Sequence, residues 1–144
     1  MRNLTVKRNK TGVACLAKIK IYVEDRVTPE TDINDVPCRK LGDLKNGEEK
    51  TFVISNEEVR VFAIADNLSK SYCNDYYKVP AGSEDVYLSG KNRYNPFKGN
   101  PFYFDGVTDE EVLKNRKKGS KIGVLVSILA IIAGFAIGFA IAWI

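Results

Sequence analysis

The last 23 residues, Ile122 to Ile144, read IGVLVSILAIIAGFAIGFAIAWI without a charge, and Ser127 is their only hydroxyl. As a helix rising 1.5 Å per residue, this run covers about 34 Å, against a hydrocarbon core of roughly 30 Å. A small domain rarely encloses an element that is apolar on every side. The run therefore predicts one C-terminal transmembrane helix over 122–144 and leaves about 105 to 110 residues for a single folded domain.

Charge gives the predicted anchor a direction. Lys114, Arg116, Lys117, Lys118 and Lys121 crowd its N-terminal flank, and the formal net charge of the chain is +4. Setting those five aside leaves 17 basic against 18 acidic residues, so the domain itself is nearly neutral. The basicity thus belongs to the junction, as membrane-surface contacts with anionic head groups, and nucleic acid is not an expected partner. The positive-inside rule then sets the N-terminal domain on the cytoplasmic side of a single-pass, tail-anchored protein, with Trp143 at the far interface. The N-terminus, MRNLTVKRNK, shows no apolar segment of the signal-peptide kind. Within the span Ala130, Gly134, Gly138 and Ala142 recur every four residues, a helix-packing stripe suited to a homodimer or to another membrane protein's helix. Small residues are also simply common in such spans.

Ahead of the anchor the pattern has period two. Ala17, Ile19, Ile21 and Val23 alternate with Lys18, Lys20, Tyr22 and Glu24, which predicts a half-buried strand with one wet face. Asp25 to Lys40, with Pro29 and Pro37, reads as an irregular excursion. Further strands are predicted at Thr51 to Ile54, Val59 to Ala65 (central, being apolar on both faces), Tyr72 to Val79, Asp85 to Ser89 and Pro101 to Asp105. The fold class is mainly β: a small antiparallel β-sandwich or open barrel over 1–107. A capped basic juxtamembrane helix over 108–121 follows, opened by the capping box Thr108-Asp109-Glu110-Glu111, and then the anchor.

The residues argue against most catalytic readings. The chain has no His, which removes the commonest general base at neutral pH and a major zinc ligand. Cys15, Cys38 and Cys73 have no metal-site or disulfide spacing and read as scattered thiols of a reduced compartment. Asp66, Asp75, Glu84, Asp85 and Asp105 read as solvated turn carboxylates, without a calcium loop. No phosphate-cradling glycine loop is present. No cofactor, metal or catalytic residue is assigned, and the protein is read as a non-enzyme. The most unusual composition is Lys91 to Phe104, KNRYNPFKGNPFYF. Its interleaved aromatics and cations close a small core or make a partner contact through Tyr94 and Phe97.

The run Lys20-Ile21-Tyr22-Val23-Glu24-Asp25, followed by Leu41-Gly42-Asp43-Leu44-Lys45-Asn46-Gly47-Glu48 and Thr51-Phe52-Val53-Ile54, resembles the opening of small, uncharacterised bacterial membrane-associated β-sandwich domains. The likeness covers roughly residues 17 to 65 and implies a fold rather than an activity. Glu24-Asp25 stands where that pattern has Asp-Gly, and the excursion with two prolines interrupts it. Together these features predict a non-enzymatic, membrane-tethered protein-interaction or scaffold module. The alternative is a small accessory subunit of a larger membrane protein complex.

Overall fold

A computed structural model describes residues 1–12, 15–65, 75–93, 102–117 and 128–133. The strands are β1 (Arg2–Arg8), β2 (Ile19–Glu24), β3 (Thr31–Ile33), β4 (Val36–Leu44), β5 (Glu49–Ile54), β6 (Val59–Ala65), β7 (Tyr77–Val79), β8 (Val86–Asn92) and β9 (Phe102–Phe104). Two described helices follow, α1 over 110–117 and α2 over 128–133. The strands form two sheets, in the orders β5-β1-β8-β9 and β3-β4-β2-β6-β7.

Alternation explains the sandwich. Leu4 and Val6 of β1, Ile19, Ile21 and Val23 of β2, Val61, Ala63 and Ala65 of β6 and Leu88 of β8 lie at every second position and meet in one core between the sheets. The second sheet is buried on its other face as well. Tyr22, Ile33, Cys38, Phe62 and Ile64 form a second cluster with Tyr76 and with Val112 of α1. Val59–Ala65 indeed runs between two neighbours, β2 and β7, whereas the wet face expected for β2 is covered at Tyr22, which is 5% exposed.

The structure corrects several expectations. The sandwich is not wholly antiparallel, because β1 runs parallel to β8, from Leu4 opposite Val86 to Arg8 opposite Gly90. The excursion 25–40 contains a hairpin, β3 on β4, closed by Asn34 and Asp35 at φ 49° and 66°. Two consecutive positive φ values make the tight two-residue turn whose twist suits flanking strands. Asp109, not Thr108, caps α1: its Oδ1 accepts from the Glu111 N–H at 3.0 Å. Glu111 points elsewhere, as acceptor for the Tyr76 hydroxyl at 3.4 Å.

The largest correction concerns the anchor. Among the described residues no helix is long and apolar enough to cross a membrane. Crossing needs about 20 helical residues, and α2, the described part of 122–144, has six. The transmembrane helix, the single-pass tail-anchored arrangement and the cytoplasm-facing placement do not stand, and neither do the bilayer and helix-pairing partners built on them. In the packing stripe, Ala130 is exposed on α2, while Gly134, Gly138 and Ala142 lie outside the described residues.

Candidate functional site

One end of the sandwich carries an open groove of about 680 Å³. Its walls come from both sheets: the end of β2 with the loop after it (Glu24 to Thr28), Arg39 of β4, the end of β5 and the β5–β6 turn (Val53 to Glu58), and Met1. Val23 and Val59, both buried, underlie it as core residues of β2 and β6. On the walls Met1 and Val27 are each 88% exposed and Val53 50%. Three exposed apolar side chains around one concave surface are unlike the scattered single ones of an ordinary surface.

Both walls are fixed by hydrogen bonds. The Asp25 carboxylate accepts from the N–H groups of Val27 and Thr28 at 2.9 and 3.0 Å and from the Thr28 hydroxyl at 2.9 Å. Arg39 Nε lies 3.0 Å from the same carboxylate. These donors, the Thr28 N–H foremost, hold the Asp25 carboxyl below the usual carboxylate range. Arg39 also donates to the Val53 carbonyl at 3.1 Å, joining the loop on one sheet to β5 on the other. Across the groove, the side chain of Arg2 donates to the carbonyls of Ser55, Glu57 and Pro80 at 3.0, 2.9 and 2.8 Å. The β5–β6 turn is thereby tied to the β7–β8 loop, and the Gly82 N–H adds a bond to the Asn56 carbonyl at 2.8 Å.

The charges divide into committed and uncommitted groups. Glu24 pairs with Arg26 at 3.0 Å and accepts from the Arg60 N–H at 3.2 Å. Glu58 meets Lys78 at 3.1 Å, with both side chains about half exposed. The Glu57 carboxylate makes no hydrogen bond or ion pair among the described residues. Four carboxylates of the lining face the guanidiniums of Arg26 and Arg39 and the α-ammonium of Met1, and Lys78 beside Glu58 supplies a fourth positive charge, so the groove has no charge excess.

The residues singled out in the sequence lie elsewhere. Lys114 and Lys117 are exposed on α1. Arg116 is not a free surface cation: Nη2 donates to Asp75 Oδ2 at 2.8 Å and to the Phe104 carbonyl at 3.1 Å, and Nε also meets the Asp75 carboxylate. Its guanidinium carbon stands 4.6 Å from the Tyr103 ring centre. Asp75 is correspondingly buried rather than solvated. Lys118, Lys121, Tyr94 and Phe97 lie outside the described residues. Cys15 is exposed and Cys38 buried, where burial, then Glu24, pushes the Cys38 thiol up to about 12 and leaves it inert. Among the described residues no three metal-ligating side chains are gathered.

No family model matches the chain, and no curated protein matches it. The resemblance to bacterial membrane-associated β-sandwich domains is therefore corrected as well. Its motif residues do the generic work of hairpins here: Lys45-Asn46-Gly47-Glu48 is the turn between β4 and β5, with Gly47 at φ 80°. Any chain with such a turn would carry them.

Proposed function

We propose that this chain is a non-catalytic recognition domain whose sandwich-end groove receives an extended segment of another polypeptide. The observation that carries the reading is the convergence of Met1, Val27 and Val53, exposed and apolar, on walls that Arg39, Asp25 and Arg2 already hold in place. Ordering those walls adds little to the cost of binding, because the hydrogen bonds fix them beforehand. An open groove suits a chain segment better than a small molecule, which needs most of its surface enclosed. Glu24 and Asp25 are occupied by donors, so neither is poised to carry a proton, and the chain has no His to do so.

A peptide-display selection on the full chain tests this, followed by affinity measurement on a Val27→Ser, Val53→Thr double variant. Both sites are exposed, so stability should change by no more than about 0.5 kcal/mol. Selected peptides are expected to bind the variant at least tenfold more weakly. Retained affinity on the variant, or a selection that yields no binder, overturns the reading.

A further inference from the structure

We propose that Asn46 is a site of self-modification, at which ring closure onto the Gly47 nitrogen expels the side-chain amide as ammonia at a rate governed by the docking of Thr11. Asn46-Gly47 is the only Asn-Gly step in the sequence. It sits at the end of the sandwich opposite the groove, since β1 starts at the groove beside Met1 and finishes at Arg8, which is bonded to the same turn. The turn is closed by the Glu48 N–H donating to the Lys45 carbonyl at 3.0 Å, with Gly47 exposed and at φ 80°. The Gly47 nitrogen is held by the covalent chain close to Asn46 Cγ, and glycine has no side chain to crowd the approach. In the step the nitrogen gives its proton to water and bonds to Cγ, the Cγ–Nδ2 bond breaks, and Nδ2 leaves as ammonia. Water then adds to either carbonyl of the succinimide and leaves aspartate or isoaspartate, with nothing oxidised or reduced.

The folded chain restrains this reaction. Asn46 is half-buried, its Oδ1 accepts from the Thr11 N–H, and its Nδ2 donates to the Thr11 carbonyl, each at 3.0 Å. Turning Cγ onto the Gly47 nitrogen opens both bonds together, so conversion proceeds only from the undocked fraction of the chain. Two net hydrogen bonds hold that fraction to about a tenth to a hundredth. The product acts back on the same contact. A carboxylate at position 46 still accepts from the Thr11 N–H, but it has no donor for the Thr11 carbonyl and sets a charged oxygen against it. Isoaspartate also lengthens the backbone of the turn. Conversion thus undocks the chain that follows β1, and it does so in one direction only.

The test incubates the full chain beside an end-capped synthetic peptide spanning Leu44 to Lys50, at neutral pH and body temperature. Mass spectrometry that separates Asn, Asp and isoaspartate follows position 46. The folded chain is expected to convert about tenfold to a hundredfold more slowly than the peptide. Thr11→Pro removes the donated N–H and should raise the folded rate about fivefold. Asn46→Asp, made directly, should exchange the Thr11 amide faster than the wild-type chain. A folded rate equal to the peptide's overturns the proposal, and so does no conversion over a period in which a hundredfold slower site would have turned over. Unchanged Thr11 exchange in Asn46→Asp, or an unchanged rate in a folded Thr11→Pro protein, does the same. If Thr11→Pro does not fold, the comparison with the peptide and the Asn46→Asp exchange decide by themselves.

Discussion

Arg8 is fully buried, and its Nη1 donates to the carbonyls of Ala17 and Leu44 at 2.7 and 2.9 Å. Desolvation by burial lowers its pKa, opposed by the nearby Cys15, yet a guanidinium stays charged across the whole working pH range. Its role is that of a fork satisfying two acceptors that β1 alone cannot reach. Replacing it with Met keeps much of the volume and leaves those carbonyls without their donor, so Arg8→Met is expected to cost about 2 to 4 kcal/mol. Urea denaturation measures it, and a loss under about 0.5 kcal/mol would remove the fork argument. The same residue explains why β1 was illegible in the sequence. Its burial pattern is a regular alternation, but Arg2 and Arg8 hold the two end inward positions, and hydropathy cannot see the carbonyls awaiting them. Arg116 misled in the same way, because its partners Asp75 and Phe104 are distant in sequence. Of the groove, Val27 and Val53 looked like ordinary loop and strand-end residues, and only their meeting in space gives them meaning.

At the scale of elements, Gly90 sets how closely β8 and β9 approach. A Cβ there would lie 2.5 Å from the Tyr103 carbonyl oxygen and 2.7 Å from two ring carbons of Phe102. The carbonyl is backbone and cannot swing aside, so Gly90→Ala is expected to cost about 2 to 3 kcal/mol. Gly12→Ala, with nothing within 4 Å, serves as the neutral control. Thermal unfolding of the two variants, with amide exchange read at β9, checks the contrast, and equal stability would show that β9 shifts freely. Elements whose apolar positions alternate without charged intruders, β2 and β6 above all, were readable from sequence. The β3–β4 hairpin is hidden in the sequence although Asn34-Asp35 is a tight-turn pair, since Pro29 and Pro37 around it read as irregular chain. The parallel pairing of β1 with β8 had no local signature, because it joins segments about 80 residues apart.

Across the whole molecule, α1 together with Asp75 and Tyr76, just ahead of β7, makes a third layer on the outer face of the second sheet. Val112 is fully buried there beside Tyr76, Phe62 and Ile64. Arg116 fastens the layer by joining Asp75, just ahead of β7 in one sheet, to the Phe104 carbonyl of β9 in the other. Hydrogen bonding to Asp75, foremost, raises the Arg116 pKa, so the pair stays ionic wherever the carboxyl is ionised. With Asp75 buried and the Arg116 side chain only 20% exposed, removing either partner leaves the other charge poorly solvated. Asp75→Ala and Arg116→Ala should therefore each cost about 2 to 4 kcal/mol. The double variant should cost less than the two together, with a coupling of about 1 to 3 kcal/mol. Salt should change this coupling little, because a shielded pair is screened less than a surface one. Denaturant unfolding of the four proteins at 0.05 and 1 M salt measures the cycle. Strict additivity, or a coupling that collapses in high salt, would mean that α1 is held by Val112 and its apolar neighbours alone.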